Sequence, residues 1–196
     1  MKNQMKALFV VIVLISAINC FSQDTSKFKL FKKSNEISGF GGLTLNLLNG
    51  DYFLVGGEGA GMFGNYYFGG FGFSGDIGTY IYPLSNQDYL ITRSSGGLVI
   101  GGMSNTTHIF ALYSDIKVSF DQYAANSVIE SVFLPPFSYR SISLIPSIGI
   151  ALRPISFLQI RLGAGYNQSG IIDDGGLINV PYRSPLYNFS LTFGRF

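Results

Sequence analysis

The chain has 196 residues, of which 12% are charged and 15% aromatic, with 25 glycines and a formal net charge of +2. An ordinary soluble domain carries about 25% charge, and the 47% hydrophobic content here excludes a disordered chain. Glycine at this density, each weakening a helix by about 1 kcal/mol, argues against a long-helix protein, and without a basic cluster beyond the N-terminal segment nucleic acid is not an expected partner.

In chain order, Lys2 and Lys6 precede a run from Ala7 to Ile18 that is apolar except for Ser16. A charged start followed by an apolar stretch too short to span a bilayer reads as an export signal. Small residues Cys20 and Ser22 place cleavage after Ser22. Residues 1–22 are therefore expected to be a signal peptide. Lipidation of Cys20 is the competing reading. Residues 23–36, with Lys27, Lys29, Lys32 and Lys33, are expected to lie in the periplasm. Past residue 22 there is no cysteine, and no run of 18 apolar residues predicts a membrane helix.

From residue 37 onward the dominant signal is alternation with a period of two, the mark of strands. It predicts eight strands at about 37–48, 52–63, 66–78, 91–103, 107–121, 140–152, 156–167 and 186–196. It is cleanest late in the chain. Leu158, Ile160, Leu162, Ala164 and Tyr166 share one face; Gln159, Arg161, Gly163, Gly165 and Asn167 share the other. Pro146 falls inside the sixth strand and removes a ladder donor, so a bulge is expected there. Connections after the second, fourth and sixth strands are short: Gly64-Asn65, Ser104-Asn105-Thr106 and Arg153-Pro154-Ile155. Asn49-Gly50 after the first strand is a strong hairpin signal. The connections after the third, fifth and seventh are predicted to be long. Short turns at one end and long loops at the other characterise transmembrane barrels.

The polar face is mostly Gly, Ala and Ser with single charges, which suits the crowded interior of a narrow barrel. The opposite face is Leu, Ile, Val and Phe, which suits hydrocarbon, where only helices and closed sheets can span. Phe53, Phe63, Tyr67, Phe110, Phe120, Tyr166, Tyr187 and Phe193 lie near strand ends and are expected to form interfacial aromatic girdles.

Over residues 37–196 the chain resembles the small bacterial outer-membrane β-barrel family of the eight-stranded kind. The resemblance rests on the export signal, the strand count, the loop asymmetry and Phe196. It implies an all-β, eight-stranded antiparallel up-and-down transmembrane β-barrel in the outer membrane of a Gram-negative bacterium, both termini periplasmic. Phe196 would then be the insertion signal read by the barrel insertion machinery. Its parity is opposite to that of Tyr187, Phe189, Leu191 and Phe193, and a bulge near Gly194 is expected to restore the phase.

Parity assigns Glu58, Asp76, Arg93, Asp115, Lys117 and Arg161 to the lumen as a balanced charge network, with Asp76 and Arg93 as the expected pair. A structural network is the primary reading; pairs that exchange partners to gate small ions are the alternative. His108, the single histidine, has no base–nucleophile pattern around it, so no catalytic residue, metal site or cofactor is expected. Asp173-Asp174-Gly175-Gly176 offers few ligands for calcium and reads as a turn. The Gly-Gly pairs lack the helix and lysine of phosphate loops and are expected to permit curvature.

Apolar side chains crowd loop 3, the connection after the fifth strand, with Val132, Phe133, Leu134 and Phe137; loop 4, after the seventh, is similar. Exposed apolar groups at this density mark a contact. They are expected to fold over the mouth, extend the sheet, or bind an envelope protein. Outer-membrane lipid is the other expected partner. The functional expectation is a structural or interaction barrel, with a narrow gated channel second and a lipid-modifying enzyme third.

Overall fold

The computed structural model describes residues 37–82, 87–104, 109–127, 137–173 and 183–196. Eight strands follow one another: β1 (Ile37–Leu48), β2 (Tyr52–Phe63), β3 (Tyr66–Tyr82), β4 (Gln87–Met103), β5 (Phe110–Ser127), β6 (Phe137–Ile155), β7 (Leu158–Asp173) and β8 (Arg183–Arg195). Each pairs antiparallel with the next, and β1 pairs with β8, so the sheet closes into a barrel. One end carries the residue 37 and 196 termini and the tight turns at Gly64-Asn65 and Ser156-Phe157; we call it the turn end. The other is the loop end. There Asn49 (φ 56°) and Gly50 (φ 83°) make the first hairpin, the left-handed pair that an Asn-Gly turn supplies.

The faces divide as chemistry requires for an apolar surround. Leu43, Phe53, Leu98, Leu112, Ile150 and Phe189 are exposed on the outside. Glu58, Arg93, Asp115, Lys117, Asp121 and Arg161 are buried inside. On β5 the exposed side chains run from Phe110 to Phe120 before Gln122 ends the series. At a rise of about 3.4 Å per residue and a tilt of about 40°, that run is roughly 26 Å tall, close to the apolar band of a transmembrane barrel. A row of exposed polar side chains closes the band. Ser74 pairs with Ser94, Ser94 with Gln122, and Gln122 with Arg140.

Above this row the sheet continues. β3, β4, β5, β6 and β7 each run three to six residues beyond their predicted loop-end limits, and β8 starts three residues earlier. The connections after β3, β5 and β7 are correspondingly shorter than expected, 83–86, 128–136 and 174–182. Phe137 belongs to β6 rather than to loop 3. Val132, Phe133, Leu134 and His108 lie outside the described residues, as do the signal and periplasmic segments and the turn at 174–176.

Three backbone expectations are corrected. Pro146 causes no register shift. Leu144 pairs with Gln168 and Ser147 with Gly165, so the β6–β7 ladder is only interrupted. The shifts in β6 fall at its two ends instead. Near Gly194 there is no bulge either: β8 keeps one register with β1 and with β7. Finally, the third tight turn is Ser156-Phe157, immediately after the predicted Arg153-Pro154-Ile155, which leaves Arg153 inside β6.

Inward glycines let neighbouring strands approach closely. A Cβ on Gly97 would overlap the Val118 carbonyl and sit 2.7 Å from Ser119 Cα; one on Gly96, which faces out, meets nothing nearer than the Phe71 carbonyl at 3.8 Å. In the Gly96-Gly97 pair, only the inward member is sterically required.

Candidate functional site

The lumen holds two polar clusters between two apolar layers. Strand alternation brings Glu58 from β2, Lys117 from β5 and Arg161 from β7 to one level. Glu58 Oε2 lies 3.1 Å from Lys117 Nζ, and Glu58 Oε1 lies 2.5 Å from Arg161 Nη1. The Arg161 guanidinium is caged by the rings of Tyr113 at 4.6 Å, Phe40 at 4.7 Å and Tyr67 at 4.9 Å. Tyr67 donates to Asp115 Oδ2 at 2.9 Å, and Ser147 also donates to Asp115. Tyr113 donates to Asn188 at 2.8 Å. A cation removed from water is tolerated when anions and ring faces surround it.

The second cluster lies toward the loop end. Arg93 of β4 pairs with Asp121 of β5 at 3.0 Å and donates to Asn167 of β7 at 3.0 Å and to Ser95 at 3.0 Å. Asp121 also accepts from Ser119, Ser141 and Ser143. Rings of Phe73 and Tyr123 lie 5.6 Å from the Arg93 guanidinium. The three hydroxyls and the Arg93 guanidinium hold the Asp121 carboxylate from four sides and fix its orientation in the lumen.

Apolar layers lie beyond each cluster. Leu48, Leu54, Ile77, Tyr89, Ile145 and Leu186 pack at the loop end. Met62, Val99, Met103, Ala111 and Ala151 pack toward the turn end. Phe196 stacks on Phe40 with centroids 5.9 Å apart, and Arg153 lies 5.0 Å over its ring. With its carboxamide oxygen turned toward Arg153, Gln159 accepts from Nε at 2.9 Å and from Nη2 at 3.1 Å.

The structure therefore brings together Glu58, Lys117 and Arg161, places Asp115 beside them through Tyr67, and sets Arg93 in the second cluster. Asp76 is corrected: it is exposed on the outside, accepting from Thr92 at 2.8 Å. The expected Asp76–Arg93 pair is replaced by Asp121–Arg93. Polarity misled the assignment in β3, whose inward face carries Tyr67, Phe71, Phe73 and Ile77 while Ser74 and Asp76 face out. Those rings face inward because cations lie against them; Lys117 is 5.6 Å from Phe71. Tyr67 likewise leaves the expected girdle and is 1% exposed. Asp121 shares the parity of Asp115 and Lys117 and was recoverable; Arg153 was hidden by the misplaced turn. We expect Asp121→Ala to cost about 3–5 kcal/mol, since it strands a buried Arg93, and Asp76→Ala about 0.5 kcal/mol or less. Urea unfolding in lipid vesicles separates the two; equal losses would return Asp76 to the lumen.

Among known proteins, no family model and no curated sequence matches the chain. Its fold is similar to those of solved structures, three of which follow. Neisserial surface protein A has a TM-score of 0.49 and 13% identity, covering 81% of this chain and 92% of that one. Ail, the attachment invasion locus protein of Yersinia pestis, has a TM-score of 0.44 and 14% identity, covering 83% and 99%. The N-terminal β-barrel domain of Pseudomonas aeruginosa OprF has a TM-score of 0.49 and 7% identity, covering 83% and 99%.

Proposed function

We propose that the chain is an integral outer-membrane barrel with a structural or protein-interaction role, an accessory subunit of an envelope complex. One observation carries this reading: the charges are inside, and the exterior is apolar up to the polar row at Ser74, Ser94, Gln122 and Arg140. Such a surface is stable only in contact with acyl chains, and a closed sheet leaves no backbone group unpaired there. The export signal and the placement of tight turns support periplasmic termini.

The sheet that rises past the polar row supports a platform for a partner, and the apolar residues Val132, Phe133, Leu134 and Phe137 are its proposed contact residues. Pull-down in mild detergent tests it. Replacing these four residues with serine is expected to abolish co-purification of an envelope partner while the barrel stays folded. Retention of the partner, or capture of none by the native chain, rejects the platform. Insertion requires the barrel insertion machinery, with Phe196 as its signal in this reading; in cells, Phe196→Ala should slow insertion several-fold.

A narrow gated channel is the second reading, favoured by one detail: Glu58 is shared between Lys117 and Arg161 and has two partners to exchange. It predicts single-channel conductance in a planar bilayer that changes in Glu58→Ala. A silent native barrel removes it. Lipid mass spectrometry tests the third reading, a lipid-modifying enzyme, through altered lipid masses.

A further inference from the structure

The chain ends in Gly194-Arg195-Phe196, and the last residue lies beyond both strand ladders. Pairing of β1 with β8 stops at Gly39 and Arg195, and pairing of β7 with β8 stops at Leu158 and Phe193. Strand alternation nevertheless carries Phe196 to the lumen side, with Gly194 and the fully buried Thr192 on the same parity. There its ring lies on Phe40 of β1, with planes 28° apart. The Arg153 guanidinium of β6 covers the Phe196 ring at 5.0 Å, and the Arg161 guanidinium of β7 covers the Phe40 ring at 4.7 Å.

Arg153, Phe196, Phe40 and Arg161 therefore make a column of cation, ring, ring and cation. Both ends are held. Arg153 contacts Gln159 and lies 2.7 Å from Met103 Sδ, and Arg161 is paired with Glu58. The column crosses the seam between the first and last strands. Gly194 stands directly opposite Phe40 in that seam. A Cβ on Gly194 would overlap the Gly39 carbonyl and sit 2.6 Å from Phe40 Cα, so the strands meet closely because position 194 carries no side chain. With β1 and β8 apart, Phe40 is not beside the chain end and the column does not exist. The Phe196 ring then hangs from an unpaired residue with its faces open.

We propose that Phe196 is a closure latch, offered outside an open barrel and withdrawn into the lumen when the β1–β8 seam forms. The partner that fits the offered ring is an apolar pocket for an aromatic chain end; this rests on the reading of Phe196 as the insertion signal. Recognition and closure compete for the same ring faces. A finished barrel thereby withdraws its own signal.

Para-fluorophenylalanine placed at position 196 alone tests the latch in nanodiscs. Fluorine NMR with a soluble gadolinium chelate reads the ring, and heat-modifiable gel mobility identifies closed barrels. The native barrel should give one resonance displaced by the neighbouring ring and little relaxed by the chelate. Phe40→Leu should still close, with the resonance moved toward that of the unfolded chain and its relaxation raised several-fold. Phe73→Leu, in the loop-end layer, should keep the native signal. A native-like signal in closed Phe40→Leu barrels, or a native ring relaxed as strongly as the unfolded chain, overturns the latch. A second measurement is made in cells. A Cβ on Gly42 would overlap the Leu191 carbonyl across the same seam. Gly42→Val should therefore stay open and co-purify with the insertion machinery several-fold more than the native chain, and adding Phe196→Ala should abolish that retention. Retention that does not depend on Phe196 would overturn the ring as the recognised group. The NMR measurement, made without the machinery, distinguishes that outcome from failure of the latch.

Discussion

Glu58→Ala is expected to lower the unfolding free energy by about 3–5 kcal/mol, the cost of leaving buried charge uncompensated. Among the described residues, Glu58 is the carboxylate that pairs with both Lys117 and Arg161 in the turn-end cluster. Removing it strands two cations at once. Arg161 keeps its ring cage, which offsets part of its loss at about 0.5–2 kcal/mol per favourable contact. Lys117 keeps the Phe71 ring at 5.6 Å. The double variant Glu58→Ala with Lys117→Met should therefore recover a measurable part of the stability, because one stranded cation is gone. Urea titration of vesicle-inserted protein, followed by the loss of the heat-modifiable band, measures all three. A loss of about 1 kcal/mol or less for Glu58→Ala is what a solvent-exposed ion pair gives, and would show a wide, wet lumen.

Gly97→Ala should prevent the barrel from closing, while Gly96→Ala should leave it intact. The two positions are neighbours on β4 and add the same methyl group. At Gly97 that methyl points into the β4–β5 contact and overlaps the Val118 carbonyl, with Ser119 Cα at 2.7 Å. These are backbone atoms in a paired ladder, so no side-chain rotation relieves the overlap. The cost reaches or exceeds the about 1–3 kcal/mol typical of overpacked interiors, and closure of a narrow barrel admits little strand displacement. At Gly96 the methyl points outward at ordinary contact distance. Refolding yield into vesicles, read on the same gel, should fall below about a tenth of native for Gly97→Ala and stay near native for Gly96→Ala. Equal yields would mean that the sheet is not bent sharply at this point.

What the sequence made legible follows the lipid. β1 and β2 were predicted to the residue, because both lie within the apolar band and end at an Asn-Gly turn or a Gly-Asn turn. Elsewhere the predicted loop-end limits fall near the polar row of Ser74, Ser94, Gln122 and Arg140. Outward residues stop being apolar there, so the alternation that betrays a strand disappears, yet the hydrogen-bonded ladder continues past it. Pairing above the membrane leaves no polarity contrast to read.

The site was legible where interior residues were polar and obscured where they were aromatic. Glu58, Arg93, Asp115, Lys117 and Arg161 were assigned inward by their charge and parity, and all five are buried there. In β3 the inward residues are rings that serve buried cations, so a rule that sends apolar groups outward inverts the strand and turns Asp76 inward. Phe196 fails the same rule from the other direction. Its parity is inward, and the structure keeps it there, against Phe40 and beneath Arg153. A sequence shows that a ring and a cation occur; only the register shows that they meet.

The central claim is that the apolar rows of this sheet touch acyl chains. Photolabelling in vesicles whose phospholipids carry a diazirine near the middle of one acyl chain tests it on the native protein. Carbene adducts mapped by mass spectrometry should fall on the strands at Leu112, Ile150, Leu162 and Phe189, all exposed on the outer face. Leu54, Met62 and Ile145, equally apolar and buried inside, should remain unlabelled. Adducts at Leu54 and Ile145 with none at Leu112 and Ile150 would mean that the sheet is inside out, and that a water-soluble carrier must replace the membrane barrel.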